Sequence, residues 1–282
     1  MESTTIDGIA TRYEVTGCGP ALLMFSPGGF NARLENWGTH GIYRRTEMLA
    51  RLQERYTCIT FDKRESGESG GRLERVTWRH YADQGRGLLD HLGIERAHLM
   101  GGCVGCSIAA VFALAHPDRT DGVVLYSPAG GPQYRLKQHA RFAQHAAYAE
   151  QHGLVAVAEL ARRSDAGFSE DPRVGPWSTV LRTDPDFATV YVAQDPAGYQ
   201  ALLAGVARTL FDRDTVPGPE PEDLLRSGVR ALVVPGQDSS HATSAARYLQ
   251  ECLRGAEYWD VPVAEQTADT APARVMAFLD SF

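Results

Sequence analysis

The sequence lacks the features that mark several large classes of protein. No apolar stretch reaches the roughly 18 residues that a membrane-spanning helix needs. No run of lysine and arginine offers a basic surface to nucleic acid, and the net charge is −7. The first residues, MESTTIDGIATRYEV, have neither the basic region nor the apolar region of a signal peptide. We therefore expect a cytoplasmic protein that binds neither a membrane nor nucleic acid.

Cysteine is scarce, and its spacing fits no common framework. The five cysteines are an odd number, and only Cys103 and Cys106 are three residues apart, a spacing that one helical turn explains, so neither a set of disulfides nor a zinc site is indicated. Their positions are Cys18, Cys58, Cys103, Cys106 and Cys252. We expect no metal ion and no cofactor, and a small molecule as the substrate. Whether the chain forms a homodimer is left open.

The most informative segment is Gly101-Gly102-Cys103-Val104-Gly105. It follows the apolar run 97–100 and precedes the small and apolar segment 106–115, which predicts a strand, a sharp turn and a helix. The G-x-S-x-G nucleophile elbow has this layout, with serine where Cys103 stands. A helix N-terminus lowers the pKa of a thiol and favours the reactive thiolate. Cys103 is therefore a candidate nucleophile, and the alternative is a buried structural cysteine.

Strand-like and helical segments alternate along most of the chain. Residues 81–92 have helical apolar spacing. Predicted strands cover residues 11–15, 21–25, 58–61, 97–100, 122–126, 229–234 and 258–261. Strands separated by helices indicate βαβ units and a mostly parallel sheet. We predict an α/β core formed by residues 1–130 and 228–282.

Residues 131–227 break this alternation. They contain helical segments near 136–150, 153–163 and 197–211, repeated prolines and no convincing strand. We predict that they form an inserted helical cap. A disordered linker is the alternative, which the apolar content of the segment disfavours.

Four segments, in order, resemble those of the α/β-hydrolase fold. Residues 62–69, DKRESGES, resemble the family's D-x-R-G-x-G-x-S segment, with Glu65 in place of the first glycine. Residues 92–103, LGIERAHLMGGC, resemble the approach to the elbow, and residues 112–119, FALAHPDR, resemble the end of the following helix. Residues 234–238, VPGQD, resemble the loop that carries the acid. The resemblance implies an α/β-hydrolase fold with a mostly parallel sheet, flanking helices, an inserted helical cap and enzymatic activity.

The chain departs from this family at the catalytic histidine, which members carry shortly after the last strand. The corresponding residues 261–267 read VPVAEQT, and Gln266 stands about where the histidine belongs. Glutamine cannot act as a base at neutral pH. His241, the last histidine, lies three residues after Asp238 on the acid loop. We expect Asp238 to be the acid and His241 the base. The alternatives are a turn-forming aspartate and a loop histidine that contacts the substrate or orients the cap.

The remaining site residues follow from the same resemblance. In this fold the oxyanion is held by the N–H of the residue after the nucleophile, here Val104, and by an N–H of the loop after an early strand. Gly29 and Phe30 are the candidates in that loop, although residues 27–29 also fit a plain turn. Four aromatic side chains are candidates for an apolar substrate pocket, with packing in the core or the cap as the alternative: Trp37, Trp177, Tyr191 and Tyr199.

Together these features predict a cysteine-dependent hydrolase or acyl-transfer enzyme acting on an ester, thioester or lactone of a small carboxylic acid. In this interpretation Cys103 attacks the carbonyl carbon, while His241 and Asp238 manage protons. A second interpretation is a lyase or cyclase that stabilises an enolate in the oxyanion hole without a covalent step. A third is a catalytically inactive protein that binds a small ligand, which a cysteine retained at the elbow disfavours.

Overall fold

A computed structural model describes residues 2–282, and a single sheet forms its centre. Within this range the strands are β1 (Glu2–Ile6), β2 (Ile9–Thr16), β3 (Ala21–Phe25), β4 (Thr57–Phe61), β5 (Ala97–Gly102), β6 (Thr120–Tyr126), β7 (Ala231–Val234) and β8 (Glu257–Tyr258). Their order in the sheet is β1-β2-β4-β3-β5-β6-β7-β8. In this order the pairs β1–β2 and β2–β4 are antiparallel, and every later pair of neighbours, from β4–β3 to β7–β8, is parallel. The carboxyl ends of β3 to β7 therefore meet at one edge, where sites of such folds lie.

Helices connect the strands. The helices of the described chain are α1 (Asn36–Thr39), α2 (Gly41–Arg45), α3 (Met48–Leu52), α4 (Trp78–His91), α5 (Gly105–Ala115), α6 (Pro132–Arg163), α7 (Ser178–Thr183), α8 (Pro185–Val192), α9 (Pro196–Leu210), α10 (Pro221–Arg226), α11 (Thr243–Cys252) and α12 (Thr270–Leu279). Short 3₁₀ turns cover residues 29–31, 117–119, 172–174 and 263–265. α6 is broken at Gly153, whose φ is 77°.

Alternation along β3 explains how both faces of the sheet are covered. Leu23 and Phe25 pack into the same apolar cluster as residues of α4 and α5. Leu22 and Met24 point to the opposite face and pack with residues of α3 and α12. These β3 side chains are almost completely buried, as a central parallel strand requires. The chain therefore buries a core on each face and leaves the strand ends for a site.

Between β6 and β7 the described residues form helices and loops only, from α6 to α10. We call residues 132–226 the helical insert. Many of its apolar side chains, among them Val157 of α6 and Leu203 of α9, belong to the same buried cluster as those of α4 and α5. The division into a core and a cap that we predict from the sequence stays a prediction.

Two features are absent from residues 2–282. None of the helices there is long and apolar enough to cross a membrane. No group of three or more histidine, cysteine, aspartate or glutamate side chains within that range is arranged to hold a metal ion.

Candidate active site

Cys103 lies at the sharp turn between β5 and α5. Its φ is +55°, in the left-handed region, which costs a non-glycine residue about 1–2 kcal/mol. Glycine is required on both sides of the turn. A Cβ at Gly101 would lie 2.3 Å from the Gly105 carbonyl oxygen, and one at Gly105 would lie 2.1 Å from the Phe25 carbonyl oxygen. The strained backbone holds the half-buried thiol at the carboxyl edge of the sheet and at the start of α5.

The loop after β7 carries Asp238 and His241. The Nδ1 atom of His241 lies 2.9 Å from each carboxylate oxygen of Asp238. One of these oxygens also accepts hydrogen bonds from the backbone N–H groups of Ser240 and His241, at 2.7 and 3.0 Å. The Nε2 atom of His241 is buried, and apart from Cys103 it has no hydrogen-bond partner within the described chain. Asp238 therefore orients the imidazole so that Nε2 is left for the Cys103 thiol.

The pKa values of Cys103 and His241 are each shifted in the direction that favours the charged form of that side chain. Burial raises the pKa of the Cys103 thiol, but His241 and the backbone N–H groups of Gly28 and Val104 outweigh burial and hold the pKa below its usual value. Burial lowers the pKa of His241, but Cys103 and Asp238 outweigh burial and raise it to about 9. Both shifts therefore favour the ion pair of a thiolate beside an imidazolium.

Backbone contacts hold the His241 loop beside the elbow. Gly130, which follows β6, pairs with His241 in a parallel bridge, and its N–H donates to the Ser240 carbonyl at 3.0 Å. Gly236 permits close packing, because a Cβ there would lie 2.4 Å from the His241 Cβ. The position of the imidazole is therefore set by the chain on both sides of it.

The loop after β3 supplies backbone donors next to Cys103. The predicted oxyanion donors all border the same cavity as the thiol: Gly29, Phe30 and Val104. The backbone N–H groups of Val104 and of Gly28, which sequence analysis did not single out as a donor, lower the pKa of the Cys103 thiol. The side-chain amide of Asn36 donates to the Pro27 carbonyl at 2.7 Å and so fixes this loop. The predicted donors and the thiol therefore lie together.

A cavity of about 210 Å³ opens in front of Cys103, and we call it the front cavity. It lies between the sheet and the helical insert. Its sheet side is lined by Phe30, Lys63, Trp78, Tyr81 and Ile108, and its insert side by Tyr134, Lys137, Gln138, Arg141, Ser169, Leu210 and Phe211. Apart from Phe30, sequence analysis does not single out these residues, because only the fold brings them together at the strand ends.

A second cavity, of about 510 Å³, adjoins Cys103 and His241 from another side, and we call it the rear cavity. Tyr43, Ser127 and Gln266 contribute to its wall. The two cavities share Gly28, His40, Cys103 and His241. The thiol and the imidazole therefore stand where two separate spaces meet.

The aromatic residues that we expected to bind substrate border neither cavity. Trp37 is completely buried below the elbow, with its ring centre 5.1 Å from that of Tyr43. Trp177, Tyr191 and Tyr199 form a buried cluster inside the insert, where the two tyrosine hydroxyls lie 2.5 Å apart. We correct their assignment to packing, because contacts with one another and with the core cover them completely.

Gln266 is buried and fully hydrogen-bonded. Its Oε1 accepts a hydrogen bond from the Tyr126 hydroxyl at 2.8 Å, and its Nε2 donates to the Pro235 and Val261 carbonyls, each at 3.1 Å. The side chain therefore joins the end of β6, the acid loop and the C-terminal segment. This accounts structurally for the glutamine at the place where the resemblance implies a histidine.

Glu65, which stands where the resembled segment has glycine, has a backbone conformation that favours glycine. Its φ is +63°. Its carboxylate lies 2.7 Å from Nε of Arg64, and both side chains are only 4% exposed. The buried ion pair holds a residue whose backbone would otherwise favour glycine.

Comparisons of sequence agree with this architecture. Residues 22–154 match the family model of the alpha/beta hydrolase fold. The chain is 34% identical over 125 residues to the dihydrolipoyllysine-residue acetyltransferase component of the acetoin cleaving system of Cupriavidus necator, covering 44% of this chain and 31% of that protein. It is 50% identical over 128 residues to the 2-hydroxy-6-oxononadienedioate/2-hydroxy-6-oxononatrienedioate hydrolase of Paraburkholderia phymatum, covering 44% and 42%. The chain thus spans less than half the length of either relative.

The comparison with solved structures extends over the whole chain. The enol-lactonase of Burkholderia xenovorans LB400 superposes with a TM-score of 0.63 at 23% identity, covering 99% of this chain and 100% of that one. At this identity the likeness establishes the fold. The fold class that we predict from the sequence is therefore confirmed. The chain has the α/β-hydrolase fold, and its residues 22–154 match the family model of that fold.

Proposed function

We propose that this chain is a cysteine-dependent hydrolase that cleaves an ester, thioester or lactone through an acyl-enzyme on Cys103. One observation carries the proposal: Cys103 stands on a strained elbow beside His241, whose Nδ1 lies 2.9 Å from the Asp238 carboxylate. A nucleophile, a base and an acid that orients the base are the parts that acyl transfer needs. Two of the similar proteins carry hydrolase names, one for a dienedioate and one for an enol-lactone, which is consistent with this reaction class.

The first step is attack by the Cys103 thiolate on the carbonyl carbon of the substrate. His241 holds the thiol proton as an imidazolium, and Asp238 stabilises that charge through Nδ1. The carbonyl oxygen becomes an oxyanion, which the N–H of Val104 and an N–H of residues 28–30 accommodate. Each such donor is worth about 10²–10³ in rate.

The intermediate then collapses and breaks the bond to the leaving group. The leaving oxygen or sulfur takes the proton from His241, and a thioester on Cys103 remains. Neutral His241 next removes a proton from water, which attacks the thioester carbon. Collapse of the second intermediate releases the carboxylic acid and restores the thiolate and the imidazolium, so that one water is consumed in each turnover.

The two cavities suggest how the substrate is divided. We assign the acyl part to the front cavity, because the oxyanion donors border it. The leaving group and the attacking water use the rear cavity, which also reaches Cys103 and His241. In this arrangement the helical insert acts as a cap that covers the acyl part and keeps bulk water from it.

Intact-mass analysis after incubation with p-nitrophenyl esters of graded chain length tests the proposal. We expect a mass increase equal to the acyl group, located on Cys103 by peptide mapping and absent from Cys103→Ala. Cys18→Ala is the matched control, because Cys18 is exposed and borders neither cavity, and this variant should keep the adduct. Turnover by Cys103→Ala would exclude the covalent step and favour a lyase or cyclase. Neither adduct nor turnover with any ester would favour a ligand-binding protein.

A further inference from the structure

Lysine is used at only two positions in this chain, and both border the front cavity. Of the 28 lysine and arginine residues only Lys63 and Lys137 are lysines. Both contribute to the cavity wall that also contains Cys103. The lysine ammonium is a compact point charge with rotatable donors, which suits the binding of an anion in a confined space. The lysines of the chain are therefore concentrated at this cavity.

Lys63 is a buried cation with unused hydrogen-bond donors. It is 5% exposed, and its Nζ donates one hydrogen bond, to the Arg64 carbonyl at 3.1 Å. The same atom lies 4.2 Å from the centre of the Tyr81 ring. Since an ammonium group has three donors, two of them have no hydrogen-bond partner among residues 2–282. The neighbouring carboxylate of Glu65 is already paired with Arg64.

The rest of the cavity wall adds positive charge without a counter-ion. The half-buried guanidinium of Arg141 donates to the Gln138 side chain at 3.3 Å and to the Ser169 carbonyl at 2.8 Å, both neutral acceptors. No aspartate or glutamate of the described chain borders this cavity. A confined space lined by cations with low-dielectric walls attracts an anion.

We propose that Lys63 binds a carboxylate carried by the acyl part of the substrate, so that the enzyme acts on anionic substrates such as half-esters or lactones of dicarboxylic acids. This inference rests on the proposed hydrolase function and specifies its substrate class. The carboxylate accepts the two free N–H bonds of Lys63, and the adjoining rings of Phe30 and Tyr81 exclude water from the pair. Arg141 adds a second positive charge from the insert side.

The protonation of Lys63 is compatible with this role. Burial lowers the pKa of Lys63 to about 8, with partial opposition from Glu65. The amine is therefore still charged at neutral pH, and a bound carboxylate would raise its pKa again. An uncharged substrate would leave the ammonium without a partner, so the cavity discriminates against neutral esters.

The test compares two esters that differ only at the far end of the acyl chain: p-nitrophenyl hydrogen glutarate and neutral p-nitrophenyl pentanoate. Lys63→Met keeps an unbranched side chain among the rings but removes the charge. We expect Lys63→Met to lower kcat/KM for the glutarate ester about 100-fold and for the pentanoate ester less than about threefold. Arg162→Met, which removes an exposed charge from the insert away from the cavity, should leave both values unchanged.

Equal losses for both esters, or no loss for either, would overturn the proposal. A borohydride-trapped adduct on Lys63 would overturn it too, because it would reveal a Schiff base. Calorimetric titration of the glutarate ester into Cys103→Ala separates this inference from the proposed function, since binding there requires no chemistry. If the double variant Cys103→Ala, Lys63→Met binds the glutarate ester more weakly than Cys103→Ala does, the carboxylate site is supported even if no acyl-enzyme forms. Equal binding by the two variants refutes it. Lys63→Gln replaces Lys63→Met if the latter does not fold.

Discussion

Replacement of His241 by glutamine removes the counter-ion and the base of Cys103 and leaves a polar side chain near Asp238. Without His241 the effect of burial prevails, and the thiol pKa rises above the ordinary value of about 8.5. At pH 7 the thiolate fraction of Cys103 then falls to at most a few per cent. Loss of general acid–base catalysis costs about 10²–10⁴. Because both effects concern one proton, they are not additive, and we expect about a 10³-fold fall in kcat/KM.

The assay is the pH dependence of kcat/KM with a chromogenic ester. In the wild type, activity rises with pH through the lowered pKa of Cys103 and falls again as His241 loses its proton near pH 9. His241→Gln should lack the alkaline fall and rise only above the ordinary thiol pKa. His152→Gln, on the exposed surface of the insert, is the matched control and should behave as the wild type. A folded His241→Gln enzyme within about tenfold of wild-type activity would refute the reasoning.

Three further substitutions test the surroundings of the site. Gly236→Ala places a Cβ 2.4 Å from the His241 Cβ, so the His241 loop must shift and turnover of the folded variant should fall by at least about tenfold. Unchanged turnover would show that the clash is relieved without moving the ring. Gln266→Leu leaves three buried groups without their hydrogen-bond partner, so the free energy of unfolding measured in urea should fall by about 2–3 kcal/mol. We expect kcat to fall far less than in His241→Gln. A larger loss of kcat in Gln266→Leu would give Gln266 a part in the chemistry. Glu65→Ala leaves the Arg64 guanidinium without its nearest carboxylate and should lower the free energy of unfolding by about 3 kcal/mol. If Glu65→Gly is about 1 kcal/mol more stable than Glu65→Ala, that difference is the share due to backbone strain.

Local pattern was sufficient to predict most of the sheet and the elbow. Residues 21–25 form β3 as predicted, and the expected strand at 58–61 is one residue longer in the structure. Glycine spacing around Cys103 predicted the turn because its cause, steric crowding, is local. β1 was missed because its side chains are largely exposed and give no apolar pattern. Asp7-Gly8, both with positive φ, form the turn to β2, and this dipeptide was the available signal for a hairpin.

The site itself could be predicted only where it depends on short loops. Asp238 and His241 are three residues apart on one loop, so their contact follows from local geometry, although their catalytic roles stay predictions. The walls of the front cavity come from segments far apart in sequence, and no periodicity indicates which side chains of the insert face Cys103. For that reason residue type alone suggests Tyr191 and Tyr199 as substrate contacts, and it does not single out Lys63.

The measurement that tests the central claim most directly is the rate of alkylation of Cys103 by iodoacetamide as a function of pH, followed by peptide mapping. We expect Cys103 to react fastest of the five cysteines at pH 7, and its rate to level off at a pH below the ordinary thiol pKa of about 8.5. In His241→Gln the plateau should move to higher pH. Faster modification of exposed Cys18, or a Cys103 rate that still rises above pH 8.5 in the wild type, would contradict an activated thiolate at the elbow.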